Sequence, residues 1–172
     1  MLVQVSADHS RRALLVGAAS GCLVAGCKGI AALGPLPKLT ADVVTLDHAI
    51  AGEELMVARY RAALAALRGN RKAAAVATSL LAEHSRHLAA LRSRLILPPR
   101  LATASPRPSS SPPPLPSGVA SVIADLSAAE QAAATRLLGQ LKHAPGPLAQ
   151  LMASIGASEA GHVALLAQAR LT

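Results

Sequence analysis

Residues 42–68 decide the fold and read DVVTLDHAIAGEELMVARYRAALAALR. Their large apolar side chains recur three, four or seven residues apart, which places them on one face of an α-helix. The members of this apolar stripe are Leu46, Ile50, Val57, Leu64 and Leu67. Thr40-Ala41-Asp42 provides an N-terminal capping signal, and Gly69-Asn70 interrupts the pattern. The stretch therefore predicts a long amphipathic helix.

The composition predicts that the rest of the chain is also helical. Ala and Leu dominate, and the aromatic residues comprise one Tyr and neither Phe nor Trp. Ala and Leu have the highest helix propensities, whereas strands favour β-branched and aromatic residues. With 172 residues, the chain is long enough for one ordinary domain with extensions. We therefore expect a single all-α domain.

Three further helices are predicted at about 71–95, 119–142 and 148–171. Pro98-Pro99 ends the second helix, and the sequence HAPGP at 143–147 separates the third from the fourth. Only short breaks follow the first and third helices, which predicts two antiparallel helix hairpins.

A Pro- and Ser-rich linker, Pro98 to Gly118, joins the two hairpins and contains SSSPPP at 109–114. Such a segment cannot bury a core, so we expect it to be extended or disordered and to lie outside the core. At about 3 Å per residue it can cross the length of a bundle. A simple up-and-down bundle with a flexible middle loop is the alternative arrangement.

The N-terminus has the pattern of a secretory signal. Ser10-Arg11-Arg12 precedes an uncharged stretch at 13–26 that is shorter than the roughly 18 residues of a membrane-spanning helix. SRRALL at 10–15 resembles the twin-arginine export motif, and LVAGC at 23–27 resembles a lipobox, in which Cys27 is acylated.

These resemblances imply a signal peptide at 1–26, a tether at 27–41 and a helical domain at 42–171. They also imply export to the cell envelope, with Cys27 anchoring the chain to the outer face of the cytoplasmic membrane. A plain signal peptide cleaved nearby and an uncleaved anchor are the alternatives. Cys22 would be removed with the signal, so the mature domain would contain no free thiol for a disulfide or a cysteine-based zinc site.

The positive charge does not indicate nucleic-acid binding. The formal net charge is +8, but the basic residues are scattered and no aromatic residues alternate with them for stacking on bases. A basic exported protein is instead suited to an anionic envelope surface.

Six ionisable residues share helix faces with apolar residues and are predicted to point inward. They are Glu53, His84, His87, Glu130, Glu159 and His162. Glu54 is predicted to point to water, and Glu83 to point outward as a partner of Arg86. The free-energy cost of burying six uncompensated ionisable groups would exceed the net stability of a domain, which is about 5–15 kcal/mol. These groups must therefore meet one another, a metal or water. Carboxylates and imidazoles that converge from four helices are typical of an iron or manganese site.

The chain resembles the ferritin-like superfamily over about residues 42–171. Glu159-Ala160-Gly161-His162 matches the Glu-x-x-His motif of that superfamily. Glu53, followed seven residues later by Tyr60, resembles the first-helix ligand and the tyrosine that supports the ligands. Glu130 matches the third-helix ligand. Within the superfamily, the chain most resembles exported, alanine-rich actinobacterial members.

This resemblance implies a ferritin-like four-helix bundle whose metal centre binds dioxygen or peroxide and oxidises iron or an organic substrate. The second helix departs from the family, because His84-Ser85-Arg86-His87 has His84 where the family has a bridging Glu. A dinuclear centre, a mononuclear or non-iron site, and a metal-free network of carboxylates and histidines are therefore all open.

The competing hypothesis is a non-enzymatic envelope lipoprotein whose metal-free bundle binds a protein partner or a small ligand. The chain could also form a homodimer. If the protein is an enzyme, the predicted class is a metal-dependent oxidoreductase. The sequence has no Gly-rich phosphate loop, Gly-x-Ser-x-Gly elbow or zinc signature.

Overall fold

The computed structural model describes residues 40–95 and 111–170, and four α-helices make up most of these ranges. They are α1 (Ala41–Ala66), α2 (Arg71–Arg92), α3 (Val119–Gln140) and α4 (Gly146–Arg170). A short 3₁₀ turn, Leu141–His143, follows α3. The two described ranges contain no strand, so the all-α prediction is confirmed for them.

The predicted signal peptide and lipobox lie outside the described residues, as do the tether up to residue 39 and linker residues 98–110.

The helix ends follow the local sequence closely. The Asn70 side chain accepts a hydrogen bond of 2.9 Å from the Ala73 N–H and so caps α2. Thr40 occupies the capping position of α1, but its side chain makes no capping bond. The fourth helix begins at Gly146, before the predicted position 148, because Pro147 is compatible with the first turn of a helix.

Helix packing pairs α1 with α2 and α3 with α4. Beyond these pairs, α2 lies mainly against α4, and α1 lies against α3. A simple up-and-down bundle would place α2 beside α3 instead. The observed contacts are consistent with two hairpins joined by a crossover.

Ion pairs between arginine and carboxylate side chains link neighbouring helices. Arg59 on α1 donates to both carboxylate oxygens of Asp125 on α3, at 2.8 and 2.5 Å. Arg92 on α2 donates to Oε1 of Glu54 on α1 at 2.7 Å. The Glu54 side chain is 30 % exposed, so it is partly open to solvent as predicted, and it has a partner on the neighbouring helix.

Two apolar clusters lie at different heights along the helices. One includes Tyr60, Leu67, Leu80, Leu126 and Leu166. The other includes Leu46, Ile50, Leu91, Met152 and Ile155. On every helix, the buried ionisable residues fall between members of the two clusters. The fold therefore encloses a polar layer between two apolar layers.

The end of the linker differs from the expectation that it lies outside the core. Residues 111–117 form neither helix nor strand, but the partly buried Leu115 packs against the first apolar cluster. An apolar side chain that covers an exposed edge of the core removes apolar surface from water, which stabilises the folded state. Of the helices within the described ranges, none combines the length and apolarity needed to cross a membrane.

Candidate metal centre

The six residues predicted to point inward meet in the polar layer. Five of them are at most 2 % exposed: Glu53, His84, Glu130, Glu159 and His162. His87 lies at the edge of the layer, with a side chain that is 17 % exposed. The predicted inward orientation agrees with the structure for the five and holds partly for His87.

His84 occupies the middle of the layer and contacts a carboxylate through each ring nitrogen. Its Nδ1 lies 2.9 Å from Oε2 of Glu53, and its Nε2 lies 2.9 Å from Oε1 of Glu130. Burial would lower the pKa of His84, but the hydrogen bonds to Glu130 and Glu53 outweigh it and raise the pKa to about 10. Without a bound ion, His84 is therefore an imidazolium between two carboxylates.

The two oxygens of Glu130 have different surroundings. Oε1 accepts a hydrogen bond of 2.5 Å from the Tyr60 hydroxyl in addition to that from His84, whereas Oε2 has no partner. Burial would raise the pKa of Glu130, but the contacts with His162 and His84 lower it to about 2. Burial and the neighbouring Glu130 raise the pKa of Tyr60 above its ordinary value, which keeps the hydroxyl protonated as a donor.

His162 is held by residues on two helices. Its Nε2 lies 2.9 Å from Oε2 of Glu83 and 3.2 Å from the hydroxyl oxygen of Ser158. Its Nδ1 points towards the centre, 3.3 Å from Oε1 of Glu130, and has no hydrogen-bond partner. Burial would lower the pKa of His162, but the contacts with Glu130 and Glu83 raise it overall.

The prediction that Glu83 points outward is wrong in part. The carboxylate does lie near Arg86, at 3.9 Å, but its other oxygen binds His162, a buried residue of the polar layer. Glu83 sits at the flank of α2, where a carboxylate can reach α4 as well as solvent. Its hydrogen bond to His162 lowers its pKa, so Glu83 is ionised at neutral pH.

His87 faces Glu53 without a hydrogen bond. Its Nδ1 lies 3.7 Å from Oε1 of Glu53, which is too long for such a bond, and neither atom has another partner. Burial lowers the pKa of His87 below its ordinary value, so the ring is neutral at neutral pH. A neutral imidazole can offer a lone pair to an ion.

Within the polar layer, Glu159 lines a small cavity together with Glu53. Burial, together with Glu53 and Glu130, raises the pKa of Glu159 to about 8. Its Oε2 has no partner, and it lines a cavity of about 10 Å³ with Gln140, Gly52 and Arg136. A cavity of this size is at the lower limit for holding one water molecule, which could donate to Glu159 and to the unpartnered Oε1 of Gln140.

Two groups of three residues could each hold a metal ion. The first triad is Glu53, His84 and His87, and the second is His84, Glu130 and His162. Within each triad, the ligand atoms lie within 4.8 Å of one another. Glu159, although it begins the Glu-x-x-His motif, belongs to neither triad.

The distances between histidine and carboxylate atoms in both triads are compatible with a shared ion. Two ligand atoms about 2.1 Å from one ion are about 3.0 Å apart at an angle of 90° and about 3.6 Å apart at 120°. Three histidine–carboxylate distances in the triads, 2.9, 3.3 and 3.7 Å, lie in or close to this interval. Each triad also contains two buried polar atoms without partners. Such atoms are costly unless something binds them, and an ion would do so.

Three polar residues in the centre were not predicted from the sequence: Glu83, Ser158 and Gln140. Glu83 and Ser158 are at the flanks of their helices, and Gln140 is at the end of α3, so none lies on an apolar stripe. The remaining histidines of the described ranges, His48 and His143, are exposed, as predicted.

Comparisons with known proteins give no relative, since no family model, curated protein or solved structure matches this chain.

Proposed function

We propose that the chain is an exported, lipid-anchored protein of the ferritin-like type whose helical domain binds iron or manganese for oxidation or metal handling. The observation that carries the metal proposal is the composition of the two triads. Each has two imidazoles and one carboxylate, and all of these residues are buried except His87, which is partly exposed. Two histidines and one carboxylate, with further positions open, are the ligand set typical of non-haem iron sites.

The surrounding residues support the proposed ligands. Glu83 and Ser158 hold the outer nitrogen of His162, and Tyr60 holds one oxygen of Glu130. Partners of this kind fix the orientation of metal ligands. A bound redox-active ion would supply one-electron chemistry, and the apolar clusters on both sides would limit access of water to it.

The export and anchoring part of the proposal rests on the sequence. Arg11-Arg12, the uncharged stretch at 13–26 and the lipobox-like LVAGC at 23–27 support it. The ferritin-like part rests on the resemblance at Glu53, Glu130 and Glu159-Ala160-Gly161-His162 and on helix contacts that are consistent with a crossover bundle.

Metal analysis of the purified full-length chain tests the metal proposal. The protein would be produced with iron or manganese supplied, and the expected content is one or two ions per chain. His162→Asn and Glu130→Gln should lower the content, and Glu54→Gln, which changes an outer carboxylate, should not. A wild-type content far below one ion per chain would contradict the proposal.

One observation favours the alternative, a non-enzymatic lipoprotein with a metal-free domain. Without an ion, both nitrogens of His84 already have carboxylate partners, and the charges of Glu53 and Glu130 are offset by nearby histidines. A groove of about 560 Å³ between α3 and α4, lined by residues including Ile123, Ala128, Val163 and Leu166, could then receive a partner or small ligand. A metal-free wild type would support this alternative.

A further inference from the structure

His84 is the only residue of the described ranges that belongs to both triads. It faces the two triads through different atoms, because Nδ1 is directed at Glu53 and Nε2 at Glu130. The two nitrogens of an imidazole ring point to opposite sides. The triads are therefore two separate sites joined by one ring.

The buried side-chain atoms of the triads that have no hydrogen-bond partner also fall into two groups, one on each side of the His84 ring. Oε1 of Glu53 and Nδ1 of His87 lie on the Nδ1 side of His84. Oε2 of Glu130 and Nδ1 of His162 belong to the residues on the Nε2 side. An ion on one side alone would leave the buried atoms of the other side without partners, whereas one ion on each side would give both groups of ligand residues a partner.

The geometry points to His84 as a bridge between two metal ions, one bound through each ring nitrogen. This inference rests on the proposed metal binding and specifies its form. It assigns to His84 the bridging position that a carboxylate would otherwise hold. His87 and Glu53 complete one site, and His162 and Glu130 complete the other.

The protonation of the His84 ring determines how many protons are released when two ions bind. Both nitrogens face acceptors at 2.9 Å, so both carry protons in the metal-free protein. A neutral imidazole has a single lone pair and cannot bind two ions, but the imidazolate anion has two. Binding the second ion thus completes the release of two protons from His84 to solvent, as expected when metals displace ligand protons. Nothing is oxidised or reduced in this step.

The bridge fixes the class of ion and the spacing. Each site offers two ring nitrogens and a carboxylate, which suits divalent first-row transition ions rather than Mg²⁺ or Ca²⁺. Ions on opposite sides of one ring are about 6 Å apart, since each lies about 2.0–2.1 Å from its nitrogen. Carboxylate- or oxygen-bridged pairs are closer, at about 3.5–4 Å.

Copper(II) serves as the probe, because its unpaired spin reports coupling through the ring. The full-length chain would carry His9→Gln, His48→Gln and His143→Gln together with Cys22→Ser and Cys27→Ser. These changes remove the histidines outside the triads and the thiols that would bind or reduce Cu²⁺. Titration should end at two Cu²⁺ per chain. The electron paramagnetic resonance signal of the fully loaded protein should be weaker than that of two isolated ions and should weaken further on cooling, because the imidazolate couples the spins antiferromagnetically.

Two further variants each remove one site without touching the bridge. His87→Asn and His162→Asn should each bind one Cu²⁺ per chain and give an uncoupled signal. His84→Gln should abolish the coupling. Two ions with a full, uncoupled signal, or saturation of the parent protein at one ion, would overturn the bridge and leave the proposed metal binding intact. A parent protein that binds no Cu²⁺ would overturn both.

Discussion

Oε2 of Glu83 on α2 lies 2.9 Å from Nε2 of His162 on α4. An ionised carboxylate can only accept, so Nε2 carries the proton of this hydrogen bond. Nδ1 is then the nitrogen that faces Glu130 and remains without a partner. Glu83 therefore determines which atom of His162 is presented to the centre.

Replacing Glu83 with Gln should weaken metal binding without unfolding the domain. The Gln amide can orient the His162 ring only weakly, and the substitution removes a negative charge beside His162. Loss of such a supporting partner typically lowers metal affinity about 10- to 100-fold. Competition with a chelator measures the affinity.

Glu54→Gln is the matched control for this change. Glu54 is an outer carboxylate on α1 that pairs with Arg92 and does not contact the centre. Equal affinities for Glu83→Gln and Glu54→Gln would show that Glu83 does not position His162.

Glu83 also shows where sequence reasoning ends. A pattern on one helix assigns residues to the core or to solvent, and it placed Glu53, His84 and Glu130 correctly because they lie on clear apolar stripes. Glu83 lies beside the stripe of α2. Whether a flanking carboxylate meets solvent or a histidine depends on the position of the neighbouring helix. The periodicity of a single helix contains no information about how close that neighbour lies.

The helix boundaries were likewise predicted only in part from the sequence. The periodic patterns and the Pro and Gly breaks predicted all four helices. The start of α4 was missed because Pro147 was read as part of a break, although proline fits the first turn of a helix. The contact of Leu115 with the core was missed because composition describes the linker as a whole and not its single apolar side chain.

Tyr60→Phe should destabilise the folded domain. The hydroxyl donates to Oε1 of Glu130, and both residues are fully buried. A hydrogen bond to a charged group contributes about 1.5–3 kcal/mol, and the change leaves packing nearly unaltered. Urea unfolding of the metal-free chain, followed by circular dichroism, measures the loss. A free energy of unfolding equal to that of the wild type would show that this bond makes no net contribution.

Deleting residues 104–110 should be tolerated. A 22-residue helix such as α2 is about 33 Å long, and the remaining connection to Val119 can extend to about 60 Å. Closure entropy changes slowly with loop length, so the free energy of unfolding should change by less than about 1 kcal/mol. Leu115→Ser, which uncovers apolar surface of the first cluster, should lower the free energy of unfolding by about 1 kcal/mol or more. A deletion more damaging than Leu115→Ser would contradict the crossover interpretation.

Cys27→Ala should abolish lipidation and release the protein from the membrane fraction. The prediction follows from the lipobox-like LVAGC at 23–27. Mass spectrometry of the N-terminal peptide and fractionation of cells measure the outcome. Cys22→Ala is the matched control and should behave as the wild type, since Cys22 would be removed with the signal. A wild-type chain found without lipid in the cytoplasmic fraction would contradict the export hypothesis.

Several groups in the centre make the stability of the metal-free protein depend on pH, and we consider the two whose pKa values are raised to about 10 and about 8, His84 and Glu159. The folded-state pKa of His84 is raised from 6.5 to about 10, so its stabilising contribution is complete below pH 6.5 and is lost as pH rises through 10. The pKa of Glu159 is raised from 4.5 to about 8, so the folded state holds a proton that the unfolded chain releases between these values. Stability therefore falls as pH rises from 4.5 to 8.

We accordingly expect the free energy of unfolding of the metal-free chain to decrease from about pH 5 to pH 10. Glu159→Gln keeps a neutral polar side chain at this position and removes its ionisation, so the decrease between pH 4.5 and 8 should become shallower. The part due to His84, between pH 6.5 and 10, should persist. Urea unfolding at a series of pH values, with chelator present, measures both. If Glu159→Gln and the wild type lost stability in parallel below pH 8, Glu159 would not be held protonated in the folded state.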